Sequence, residues 1–208
     1  EEKAENITGK FICYLLYKLS RGKIRIDIKT FKSVDKGRVL SSDILELLNT
    51  LEYQSILNFY EEHVEFIVDR NPTGIYHTLE KYAEANGKIH KKKVEGYDRE
   101  VFDYYEPNNP EEYVMCIIDH IGLISTERSM DLRNSIKKLS EYLKIVRNKF
   151  NYIPVVVQQQ NSENNSLEAF KANKIRPSQK GLLDCQDTSR DADLFLGITS
   201  PYAWELKE

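Results

Sequence analysis

Apolar residues recur every fourth position near the start of the chain, at Ile7, Phe11, Leu15 and Leu19. That spacing draws one apolar stripe along a helix over Ala4–Leu19. Ser20-Arg21-Gly22 closes it, because glycine takes the left-handed conformation at a helix end without a Cβ penalty. Ile24-Arg-Ile-Asp-Ile28 alternates apolar with polar and predicts a short strand. Ser41-Ser42-Asp43 supplies caps for a helix through Ile44, Leu47 and Leu51, and a further helical stretch surrounds Ile56 and Tyr60. Residues 63–69, HVEFIVD, predict a second strand. Asn71-Pro72-Thr73 opens another helix, which Asn86-Gly87 stops.

Residues 90–112 are less regular and read as an excursion before the next core strand. Their basic run, Lys91 to Lys93, reads as a solvated charge run. The pattern then sharpens. Tyr113-Val-Met-Cys-Ile-Ile118 is an unbroken apolar run ending in Asp119. A helix follows from about Ser129 to Phe150, with Leu132, Ile136, Leu139, Leu143, Val146 and Phe150 on one stripe. Ile153-Pro-Val-Val-Val157 is a second unbroken run. Continuous apolar strands belong to parallel sheets covered on both faces, so strand, helix, strand predicts a βαβ unit. A polar, Asn-rich loop spans residues 161–179, and residues 192–198 predict another buried strand. The fold class is α/β.

Composition narrows the function. At 208 residues the chain fits one domain, and no apolar run is long enough for a membrane helix. Thirty basic and 33 acidic side chains leave a net charge of −3, so any nucleic-acid surface must be a local loop or one face. Cys13, Cys116 and Cys185 make an odd count without CxxC spacing, which speaks against a disulfide framework and for a reduced, cytoplasmic compartment. Cys116 sits mid-strand as a small core residue. His63, His77, His90 and His120 lack metal-ligand spacing.

In parallel sheets, ligands sit at the carboxyl ends of strands. The first core strand ends there in Asp119-His120 and the second in Gln158-Gln159-Gln160-Asn161. A carboxylate in that position suits Mg²⁺, which prefers hard oxygen ligands, and a glutamine beside it reaches a phosphate or a water. The same aspartate also reads simply as a strand-end cap. Asp184, Asp187, Asp191 and Asp193 raise a different idea, a two-metal nuclease, whose metal ions sit about 4 Å apart. No second acidic strand end pairs with Asp119.

Val114-Met-Cys-Ile-Ile-Asp119-His-Ile-Gly-Leu123 resembles the Walker B strand of the replicative hexameric DNA helicases of the DnaB type, whose motor domain is RecA-like. Asn151-Tyr-Ile-Pro-Val-Val-Val-Gln-Gln159-Gln-Asn161 is similar to that family's next strand, which ends in Ser-Gln-Leu-Asn. Arg176-Pro177, Leu182 and Asp191-Ala-Asp193 keep the family's spacing, and Glu1 falls where its Ser-Leu-Glu ends. The likeness is most specific over residues 114–196 and poor over residues 23–112. It implies a RecA-like, mostly parallel sheet flanked by helices, truncated at both ends, with residues 1–208 forming a partial ATPase domain. It also implies ATP and Mg²⁺ as cofactors, single-stranded DNA as partner, and a homo-oligomeric ring, a hexamer, that works with a primase or a helicase loader.

On this resemblance Asp119 orders Mg²⁺, Gln159 links the γ-phosphate to the DNA loop, and Glu1 polarises the attacking water. Lys171, Lys174, Arg176 and Lys180 face DNA phosphates in the ring channel. The chain departs from the family in having no GxxxxGK[ST] phosphate loop; Thr8-Gly9-Lys10 and Asn86-Gly87-Lys88 lack both the upstream glycine and the hydroxyl residue. Leu183-Asp184-Cys185-Gln186 replaces the family's Arg-Glu-Ser-Gly. With Glu rather than Met first and an abrupt end at Trp204-Glu-Leu-Lys-Glu208, the expectation is a fragment whose phosphate loop precedes Glu1 and whose arginine finger follows Glu208. The alternative is a non-catalytic RecA-like module for oligomerisation or single-stranded-DNA binding.

Overall fold

The computed structural model describes residues 4–33, 39–96, 98–161, 168 and 177–198. The chain divides into two compact units, Glu1–Phe66 and Ile67–Glu208. The described part of the first is helical: α1 (Ala4–Leu19), α2 (Ile28–Lys32), α3 (Ser42–Leu48) and α4 (Leu51–His63). The predicted α1 stripe delivers Leu15, and Leu16 joins it in a core with Tyr53 from α4. Phe11 and Tyr60 stack with ring centroids 4.3 Å apart. Residues 24–28 do not form the predicted strand. Ile24 and Ile26 do turn into the core, but no strand among the described residues lies alongside, and the Asp27 carboxylate accepts from Thr30 N at 2.7 Å to start α2. The strand predicted over residues 63–69 is also absent: His63 closes α4, and residues 64–69 pair with no strand among the described residues.

The second unit contains α5 (Pro72–Ala85), β1 (Gly87–Lys92), β2 (Val101–Pro107), β3 (Met115–Ile118), α6 (Leu132–Phe150), β4 (Ile153–Val156) and α7 (Thr188–Asp191). Short 3₁₀ turns lie at Ile121–Leu123 and Gln179–Gly181. Asn71 caps α5 by accepting from Gly74 N at 2.8 Å, and Asp131 caps α6 by accepting from Asn134 N at 2.7 Å. α6 ends where Asn151 turns left-handed, φ +59°. The irregular excursion contains the antiparallel hairpin β1–β2, bulged between His90 and Lys91, with Phe102 and Tyr105 set edge-on to Phe150.

The strand–helix–strand unit forms as predicted. β3 and β4 pair in parallel, from Met115 opposite Ile153 to Ile118 opposite Val156. α5 and α6 supply most of the core, Ile75, Leu79 and Ala83 from one and Ile136, Leu139, Leu143, Val146 and Phe150 from the other, with Cys116 and Ile121 beside them. The chain is therefore mixed α/β, with helices and small sheets that include a parallel pair. Among the described residues only one face of that pair is covered, however. Cys116 is 7% exposed, whereas Met115 is 57% and Ile117 65% exposed. The strand predicted over residues 192–198 is absent: Leu194, Leu196 and Ile198 are exposed, and no strand among the described residues lies beside them. No helix among the described residues is long and apolar enough to cross a membrane.

Burial has a consequence for alkaline stability. It pushes the Cys116 thiol up to about 11. It also raises Tyr76, which donates a hydrogen bond to Glu80 at 3.0 Å, to about 12, and Tyr152 rises for the same reason of burial. These groups are neutral in the folded chain and ionise sooner when it unfolds. Their contribution to stability is fully present below the unfolded values and is lost as pH rises through the folded ones. Urea titrations should give a falling midpoint above about pH 9, near the ordinary thiol and phenol values. A constant midpoint up to about pH 11 would contradict this.

Candidate functional site

The carboxyl ends of β3 and β4 lie side by side, and the pairing continues past both strands. Val157 N donates to Ile118 O at 2.9 Å, and Ile121 N donates to Val157 O at 3.0 Å. Asp119 thus sits beside Val157, with Gln158 and Gln159 next along the second strand. The peptide joining Asp119 to His120 is cis. Asp119 is exposed, and its carboxylate makes no hydrogen bond or ion pair among the described residues. It does not act there as a side-chain cap. The His120 ring and the Asp184 carboxylate crowd Gly122, where a Cβ would lie 2.8 Å from Asp184 Oδ2 and 3.3 Å from His120 Nδ1.

The three glutamines divide by the alternation of an extended chain. Gln159 is exposed. Gln158 points the other way and is held from both ends of its amide: its Nε2 donates to Leu183 O and, at 2.8 Å, to Cys185 O, while its Oε1 accepts from Thr188 Oγ1 at 2.6 Å. Gln160 donates to Ser178 O at 3.2 Å and accepts from Ser178 N at 3.3 Å. Backbone bonds extend the staple, from Leu183 N to Gln159 O at 2.9 Å and from Asn161 N to Gly181 O at 2.7 Å. The two ends of the polar loop are thereby clamped together at the carboxyl end of the parallel pair. Lys180 is exposed in the clamped stem. Glu1, Lys171, Lys174 and Arg176 lie outside the described residues. Gln158 was named only as part of the strand-end run and Thr188 not at all; the triple glutamine was the available signal for the clamp, since in an extended segment alternate members face opposite ways.

Asp191 and Asp193 are committed elsewhere. Asp191 accepts from Ser140 Oγ at 2.8 Å and pairs with Lys144 at 3.2 Å, and Asp193 pairs with Arg147 at 2.5 Å. α6 thus engages two of the four carboxylates that suggested a nuclease, and a third, Asp187, pairs with Arg190 at 3.3 Å. Among the described residues, no group of three or more His, Cys, Asp or Glu side chains converges as a metal shell. Mg²⁺ does not require one, since it keeps several waters and is held by one or two carboxylates plus substrate phosphates. Asp119 suits that role.

Gly9-Lys10 and Gly87-Lys88 do not suit a nucleotide. Gly9 lies within α1, where a Cβ would come 3.0 Å from Ile28 Cδ1, so its smallness serves helix packing. Gly87 lies beneath Tyr105, whose ring would be 2.5 Å from a Cβ there. Neither presents a row of backbone amides to phosphate. No protein-family model matches this chain, and no curated protein matches it.

Proposed function

We propose that the chain is part of a RecA-like, ATP-driven motor acting on single-stranded DNA, of the DnaB helicase type. The supporting observation is the parallel β3–α6–β4 unit, which carries an unengaged Asp119 and an exposed Gln159 at adjacent strand ends. Asp119 holds the water shell of Mg²⁺, an ion that offsets charge on a transferring phosphoryl group. Gln159 stands between that edge and the clamped loop, which carries Lys171, Lys174, Arg176 and Lys180 to DNA phosphates. Glu1 polarises the attacking water, and the subunits form a hexameric ring. The phosphate cradle comes from residues other than those described.

The alternative is a non-catalytic RecA-like module that binds single-stranded DNA or joins a ring without turning over ATP. Anisotropy of a labelled oligothymidylate, titrated with the full reading frame in the presence and absence of Mg²⁺-ATP, separates the two. A motor's affinity for DNA changes with nucleotide state. Identical affinity in both conditions favours the module.

A further inference from the structure

A second surface, in the first unit, combines cations with exposed rings. Over residues 18–32 the chain places Lys18, Arg21, Lys23, Arg25, Lys29 and Lys32 against one carboxylate, Asp27, in a protein whose net charge is −3. All six cations are exposed. Asp27 is occupied as the cap of α2. Among the described residues, Lys18, Arg21, Lys23 and Arg25 form no ion pair.

The local fold explains the concentration. α1 stops in a tight turn: Gly22, at φ +82°, donates its N–H to Tyr17 O at 2.8 Å, and Ile24 N donates to Ser20 Oγ at 2.8 Å. The chain then runs extended, and alternation sends Ile24 and Ile26 into the core and Lys23 and Arg25 to the surface. Tyr14 and Tyr17, one turn apart on α1, are 55% and 38% exposed. Lys18 Nζ lies 5.5 Å from the Tyr14 ring centroid, and Arg25 Cζ lies 5.5 Å from that of Tyr17.

We propose that this face, the last two turns of α1 with residues 21–25, binds single-stranded nucleic acid. Unpaired bases stack on Tyr14 and Tyr17, and Lys18, Arg21, Lys23 and Arg25 hold the phosphates between them. Rings interleaved with cations suit a single strand, because its bases are free to stack and its backbone still carries the charge. A duplex offers the charge without the open base faces. The surface needs no ATP, and it does not depend on the motor reading.

The test is anisotropy of a fluorescein-labelled oligothymidylate with the full chain across a salt series, without nucleotide. Each phosphate contact contributes about 0.7 to the slope of log K against log salt for a single strand. Arg21→Ala with Arg25→Ala should therefore flatten the slope by about 1.4. Tyr14→Ala should weaken binding about tenfold, and Tyr14→Phe should keep it. All three positions are exposed, and unchanged thermal transitions verify the fold. Equal affinity and slope in the arginine variant would overturn the proposal, as would a loss seen only with Lys174→Ala and Arg176→Ala, which places binding in the polar loop. Equal affinity for a duplex of the same length would overturn it too, as would capture by phosphatidylserine vesicles without capture of the oligonucleotide.

Discussion

Asp119→Ala in the full reading frame is expected to lower DNA-stimulated ATP turnover at least about a hundredfold, the usual scale for removing one preorganised electrostatic partner of a transition state. It should leave stability nearly unchanged, because the side chain is exposed and makes no hydrogen bond or ion pair among the described residues. Surface changes of that kind cost within about 0.5 kcal/mol. Asp191→Ala supplies the contrast. It strips Ser140 and Lys144 of their acceptor and should lower the unfolding midpoint while affecting turnover only through the fold. A pair of steady-state assays with matching thermal melts separates the two roles. Turnover that survives Asp119→Ala would remove this residue from the mechanism.

The largest stability loss is expected at Leu139. It is fully buried, on the α6 stripe facing Ile75 and Leu79 from α5, so Leu139→Ala leaves a cavity as well as losing transfer energy. The expected cost is about 3 kcal/mol. Ile117→Ala, in the centre of β3, should cost under about 1 kcal/mol despite the larger intrinsic strand preference it gives up. Its side chain is 65% exposed, so most of its surface already meets water. Urea midpoints of the two variants decide the matter. An equal loss at both would mean that both faces of the β3–β4 pair are covered.

That contrast also marks how far the sequence could be read. α6 was legible because one apolar stripe over nineteen residues, an aspartate cap and a terminal asparagine all agree. The parallel pair was legible from two unbroken apolar runs joined by that helix. Periodicity reports how apolar a strand is, however, and not whether a second layer arrives to cover it; so the exposure of Met115 and Ile117 went unseen. Short alternating stretches misled for a related reason. Residues 24–28 alternate as a strand does, yet an extended segment becomes a strand only when a neighbour takes its backbone bonds, and Asp27 instead caps a helix. The hairpin β1–β2 was hidden by its charged outer positions, His90, Lys92, Asp103 and Glu106, which pair across the strands. At the candidate site, the strand-end positions of Asp119 and of the glutamine run followed from the two apolar runs, whereas Gln159 was singled out within that run only by the resemblance. The clamp through Gln158, Thr188 and Ser178 did not, since it joins segments 18 to 30 residues apart whose meeting no local pattern announces.

ATP turnover by the full reading frame, with and without single-stranded DNA, tests the central claim most directly. A motor built on the β3–β4 edge should hydrolyse ATP in the presence of Mg²⁺ and do so several-fold faster when DNA is added. An absence of turnover under both conditions, or turnover indifferent to DNA, would contradict it.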